Sequence, residues 1–113
     1  MPGTARLDAS LGAVFGALAN EQRRAIVVRL AQSSVSTPEV ASQFEFTKQA
    51  LSRHVAILED AGLVRRTMRG RTYDLVLVPE PLDHISRWLV EIRRGWCASL
   101  DRLDQVLRSK DHD

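Results

Sequence analysis

The sequence predicts a mainly α-helical domain that carries one small β-hairpin. Three observations lead there. Apolar residues recur at helical spacing in successive stretches, the last of them long. Two β-rich runs, residues 63–68 and 72–77, flank the glycine-centred turn Arg69-Gly70-Arg71. Helix-starting and helix-stopping residues, among them Asn20, Thr47 and Gly62, fall where the pattern changes.

Residues 1–6 read as a loose tail. Leu7, Leu11, Val14, Phe15 and Leu18 put one apolar stripe on a first helix. Asn20 is placed to cap a second helix, with Glu21 in the first turn, where the helix dipole favours an acid. That helix runs to about Gln32 and offers Ile26, Val27, Leu30 and Ala31 to a core. Arg23 and Arg24 sit in its first turn, where cations are disfavoured. Either they serve a carboxylate or phosphate partner, or they are solvated. Residues 33–36 form a connector. A third helix covers about residues 38–43, capped by Thr37 with Pro38 at its first position, or by Ser36 with Glu39 completing a capping box. Phe44-Glu45-Phe46 is a turn, and Thr47 caps a fourth helix that stops at Gly62. Leu51, Val55 and Leu58 form its apolar face; Lys48, Gln49, Ser52 and Arg53 form its polar face. The hairpin follows. Pro79-Glu80-Pro81 then breaks the chain before a last helix over about residues 82–109. Its apolar residues Leu82, Ile85, Leu89, Ile92, Trp96, Leu100, Leu103 and Leu107 recur in steps of three and four, close to a coiled-coil seam. Such a seam suits a partner helix, with Trp96 as a large anchor; packing on its own domain is the plainer alternative.

At 113 residues the chain is expected to be one domain over 1–113. Its 44% hydrophobic and 27% charged residues are ordinary for a globular protein. Cys97 is the single cysteine, so no intrachain disulfide can form and a reducing, cytoplasmic setting is expected. No signal peptide is expected at the start. Purely apolar runs such as residues 25–28 fall far short of the ~20 residues of a membrane span, so no membrane partner is expected. Net charge is only +2, but its distribution is uneven. Between Thr47 and Tyr73, Lys48, Arg53, Arg65, Arg66, Arg69 and Arg71 oppose only Glu59 and Asp60, a local excess of four positive charges. A local basic stripe is the electrostatic footprint of nucleic-acid binding, although a solvated surface produces the same charges.

An α-helix fits the major groove of B-DNA and brings three or four side chains to base edges. Thr47, Lys48, Gln49, Ser52 and Arg53 are polar groups clustered on the first turns of the fourth helix, as that role requires. Gln49 is able to pair bidentately with adenine, and Arg53 with guanine or a phosphate. Arg66, Arg69 and Arg71 lie on or beside the hairpin, near the DNA backbone or minor groove. Tyr73 is expected to pack the hairpin. His54 has two readings: a donor to phosphate, or a partner for a buried carbonyl.

The run Leu51-Ser52-Arg53-His54-Val55-Ala56-Ile57-Leu58-Glu59-Asp60-Ala61-Gly62-Leu63-Val64, preceded by Asn20-Glu21-Gln22-Arg23-Arg24-Ala25-Ile26, resembles the ArsR/SmtB winged helix-turn-helix transcriptional regulators. The resemblance covers about residues 7–107. It implies a helix-turn-helix over about 37–62 and a wing over about 63–77. It further implies five helices, dimerisation through the first and last of them, and a homodimeric repressor on a palindromic operator in double-stranded DNA. Gln49, Ser52, Arg53 and His54 match the family's DNA-facing positions, and Arg69 and Arg71 its wing tip. Leu11, Val14, Leu89, Ile92, Trp96, Leu100 and Leu103 would form the dimer interface.

The chain departs from the family at its sensory positions. Many members sense metals through paired cysteines at the start of the third helix, where this chain has Ser36-Thr37-Pro38-Glu39. Others use acid and histidine ligands along the last helix; Asp83 and His84 have no second histidine about ten residues on. Soft metals need thiolate or imidazole clusters, so no metal or other cofactor is expected, and the effector is left unnamed. Cys97 is either a thiol switch near its mate or an inert small hydrophobe. A rival function is a protein-interaction module without sequence-specific DNA binding, its basic wing meeting an acidic partner. An enzyme is not expected: the sequence has no local cysteine–histidine pair, Gly-rich phosphate loop or glycine-flanked serine.

Overall fold

The computed structural model describes residues 11–111. The expected tail over 1–6 and the helix start at Leu7 lie outside the described residues. Elements run in the order α1 (residues 11–18), α2 (Glu21–Leu30), β1 (Val35–Ser36), α3 (Thr37–Gln43), α4 (Lys48–Asp60), β2 (Val64–Arg69), β3 (Thr72–Leu77) and α5 (Glu80–Asp111). Five helices and a small antiparallel sheet make a winged helix-turn-helix.

Each helix start has a local chemical cause. Asn20 Oδ1 accepts from Arg23 N at 3.0 Å, which satisfies one of the orphan donors of α2. Of the two caps open for α3, Ser36 is the one used: its Oγ accepts from Glu39 N at 3.3 Å. Thr47 Oγ1 accepts from Ala50 N at 3.1 Å and caps α4. Two helices stop by the same motif. After α4, Gly62 N donates to Glu59 O and Leu63 N to Leu58 O, with Gly62 at φ 75°. After α3, Glu45 N donates to Ser42 O and Phe46 N to Ala41 O, with Glu45 at φ 57°. Both are Schellman ends, but the second places a side chain where glycine is favoured.

The connector before α3 differs from expectation. Val35 and Ser36 form a two-residue strand, so the hairpin is part of a three-stranded sheet in the order β1-β3-β2. Val35 pairs with Leu75 and is buried, which ties the start of α3 to the wing. The hairpin turn is also tighter than expected. Arg69 pairs with Thr72, leaving Gly70 and Arg71 as a two-residue loop with Gly70 at φ 62°. The second helix ends at Leu30 rather than Gln32, and Ala31, expected in the core, is exposed. The last helix is longer than expected at both ends: Pro81 enters its first turn, and residues 110 and 111 are helical rather than tail.

Two compact units divide at Leu82 and Asp83. In the first, Val14, Ile26, Val40, Val55, Leu58, Leu63 and Leu75 are fully buried, so all four helices and the sheet contribute to one core. Each such side chain stabilises by about 1.5–3 kcal/mol relative to exposure. Val14 corrects an expectation. At 1% exposed it is a core residue of its own chain and has no surface left for a dimer partner. The second unit is the remainder of α5. Leu89, Ile92, Trp96, Leu100 and Leu103 all lie exposed along it, Trp96 at 64%.

Candidate nucleic-acid interface

Helical geometry sorts the residues of α4 onto two faces. Leu51, Val55 and Leu58 point inward and are buried. Lys48, Gln49, Ser52 and Arg53 are exposed and border one shallow surface hollow together with Ala56. None of these four polar side chains has a hydrogen-bond or ion-pair partner among the described residues. Thr47 begins the same face. Its oxygen is engaged as the cap, while its O–H is free to donate elsewhere. Ala56 is a position the residue-type argument missed. It continues the helical spacing from Ser52, and a small apolar group there suits contact with a thymine methyl.

His54 has a different placement from the solvent face. Nε2 lies 3.0 Å from Gln22 Oε1, and Nδ1 lies 3.5 Å from Arg23 Nη1. Arginine only donates, so Nδ1 accepts and Nε2–H donates to the glutamine; this is the neutral imidazole. The ring also packs against Phe46, with centroids 5.2 Å apart. Burial holds the imidazole below its ordinary pKa of 6.5, and the nearby charges of Arg23 and then Arg53 act in the same direction. With both nitrogens engaged, the phosphate-donor reading of His54 gives way to that of a brace between α2 and α4.

Arg23 and Arg24 answer neither of the alternatives set for them. Arg23 Nε donates to Ala17 O at 2.7 Å and Nη2 to Gly16 O at 3.3 Å, while Arg24 Nη1 donates to Leu18 O at 2.8 Å. These carbonyls lie at the C-terminal end of α1, where the dipole is negative; Gly16 O also accepts from Ala19 N at 3.3 Å. Two cations misplaced with respect to α2 are well placed with respect to α1.

The wing arginines differ from one another. Arg66 Nε holds Glu59 Oε1 at 2.8 Å, and its guanidinium lies 5.8 Å from the centroid of the Tyr73 ring. Arg66 therefore ties the wing to the end of α4, with Tyr73 packing the hairpin beside it. Arg69 is 80% exposed and reaches Asp74 only at 3.5 Å, a surface pair worth little. Arg71 is exposed in the loop and has no ion-pair partner among the described residues.

Comparison with known proteins agrees with this architecture. A family profile described as a helix-turn-helix domain matches residues 18–67. The HTH-type transcriptional regulator Rv2034 of Mycobacterium tuberculosis is 31% identical over 97 residues, covering 86% of this chain and 88% of the relative. The crystal structure of the ArsR family transcriptional regulator RHA00566 superposes with a TM-score of 0.74 at 30% identity, covering 79% of this chain and 92% of that one. The chain belongs to the ArsR family of transcriptional regulators. An ArsR-like regulator from Rhodococcus sp. RHA1 is similar over a larger share, 87% of this chain and 92% of that one, with a TM-score of 0.78 at 28% identity.

Within this ArsR-family fold, the start of α3 carries Ser36, Thr37, Pro38 and Glu39, a donor set that does not fit a thiophilic metal. Among the described residues no group of three or more His, Cys, Asp or Glu side chains is arranged to hold a metal ion. Likewise among the described residues, no helix is long and apolar enough to cross a membrane.

Proposed function

We propose that the chain is a homodimeric transcriptional repressor, working in the cytoplasm as a single winged-helix domain on an inverted-repeat operator in double-stranded DNA. The observation that carries this reading is the outer face of α4: four polar side chains, Lys48, Gln49, Ser52 and Arg53, presented together and left without protein partners. α4 enters the major groove, where Gln49 and Arg53 read base edges and Lys48 and Ser52 contact phosphate or base. Thr47 donates its O–H to the backbone. Arg69 and Arg71 follow the phosphates beside the groove, with Arg66 as the strut that fixes the wing's approach. The second protomer is recruited by the exposed seam of α5, since monomers rarely leave so large an apolar stripe in water. Two protomers related by a two-fold axis place their recognition helices about one helical turn apart, which demands an inverted repeat.

The test is selection of bound duplexes from a random DNA pool, followed by titration of the winner at two salt concentrations. Enrichment of an inverted repeat, with affinity falling steeply as salt rises, is the expected result. Failure to enrich any sequence, with only weak binding, would overturn the reading in favour of a protein-interaction module.

A further inference from the structure

Between α3, the first half of α4 and the hairpin lies a cavity of about 540 Å³. That is within the range of pockets that hold small molecules. Its walls are mostly apolar, from Pro38 and Ala41 of α3, Leu51 and Val55 of α4, and Tyr73 of β3, with the hydroxyls of Thr37 and Ser52 beside them. These surfaces give water few hydrogen bonds, so an apolar guest is favoured over solvent. The charged groups at the edge are of one sign. Lys48 and Arg66 line the cavity, and no acid does. Lys48 has no ion-pair partner among the described residues, and Arg66 commits only Nε to Glu59. An apolar hollow edged by two cations calls for a guest with an apolar body and one anionic end.

We propose that this cavity binds a small amphipathic organic acid, its carboxylate on Lys48 and Arg66 and its apolar body against Pro38, Ala41, Leu51, Val55 and Tyr73. Lys48 and Ser52 belong both to this cavity and to the outer face of α4. A bound carboxylate neutralises Lys48 and fills the space beside the first turn of α4, so acid and DNA compete. The competition rests on the DNA-binding reading above; the acid site itself does not.

The test uses the full chain and two probes, decanoate and 1-naphthaleneacetate, each beside its uncharged carboxamide. Binding is followed by NMR of backbone amides and side-chain methyls, without DNA. The expected result is saturable shifts at Ala41, Leu51, Val55 and Tyr73 with at least one acid, and about tenfold weaker binding of its amide. Lys48→Gln, which leaves only Arg66 at the carboxylate, should reduce the preference for acid over amide; an undiminished preference would overturn the carboxylate's placement. Ala41→Leu, which fills the hollow, should weaken the acid about tenfold with an unchanged melting temperature, which separates loss of the site from loss of the fold. No saturable shift at these residues up to about 10 mM, equal affinity for acid and amide, or shifts confined to α5 would overturn the proposal. A DNA titration with saturating acid completes the test, with a loss of about tenfold in affinity expected. Unchanged DNA affinity with the cavity filled overturns the competition. Absence of DNA binding without acid overturns the DNA-binding reading and leaves the acid site standing.

Discussion

Arg23 and His54 show how single side chains set the geometry of the recognition helix. The guanidinium fork of Arg23 takes two carbonyls at the end of α1 and one imidazole nitrogen on α4. A lysine presents a point charge and cannot reproduce that fork. His54 adds a pH dependence. Its pKa in the fold is held below the ordinary 6.5, by burial first and by the charges of Arg23 and Arg53 after it. The unfolded chain then binds more protons in the window just below pH 6.5. Stability is therefore fully present above that value and falls as pH drops through the folded pKa. Thermal melts between about pH 7.5 and pH 5.5 should show wild type losing more stability than His54→Gln, and parallel losses would contradict the assignment. Arg53, the residue before His54, is exposed and without a partner among the described residues. Arg53→Ala should weaken operator binding by about 1–3 kcal/mol and relax selectivity at one base pair. Selection from a random pool with the variant measures both quantities, and an unchanged sequence logo with unchanged affinity removes Arg53 from the reading set.

At the scale of elements, the helix-turn-helix is held by two Schellman ends of unequal quality. Gly62 satisfies its end of α4 without strain, and Leu58 and Leu63, both fully buried, supply the apolar contact that accompanies the motif. Glu45 occupies the equivalent position after α3 with φ 57°. A left-handed residue with a Cβ costs about 1–2 kcal/mol, partly offset because glycine loses more chain entropy on folding. Glu45→Gly should thus raise stability by up to about 1 kcal/mol in urea unfolding. A clear loss would show that the Glu45 side chain contributes more than its backbone strain costs. The sheet works as a second brace. β3 is paired on both edges, to β1 at the start of α3 and to β2 at the end of α4. The wing is therefore linked by backbone hydrogen bonds to both helices of the DNA-reading motif.

For the whole molecule, the governing feature is the division between a unit with its own core and a helical unit in which Ile85 is buried while Leu89, Ile92, Trp96, Leu100 and Leu103 lie exposed. Trp96 is 64% exposed at the middle of this apolar stripe, which makes it the anchor of the symmetric contact proposed above. Trp96→Glu should yield a monomer in sedimentation at micromolar concentration, because dimerisation would bury an unpaired carboxylate. The melting temperature of the wild type should rise with protein concentration, and that of the variant should not. A dimer that survives the substitution would place the interface elsewhere.

Much of this molecule was legible along the chain because its signals are short. The cap at Thr47, the stop at Gly62, the hairpin glycine at position 70 and the two faces of α4 each depend on residues within a turn or two of one another. Helical periodicity, capping chemistry and φ preference act at that range, so element types and the exposed polar face of α4 followed from residue types alone. The remaining features depend on which distant residues meet. Val35 becomes a strand because Leu75 lies beside it, and His54 becomes a brace because Gln22 and Arg23 reach its ring. Arg23 and Arg24 find acceptors in the preceding helix, Val14 is consumed by its own core, and an apolar cavity opens between α3, α4 and the hairpin. Local sequence specifies what a side chain offers; only the packing of distant elements specifies what is there to receive it.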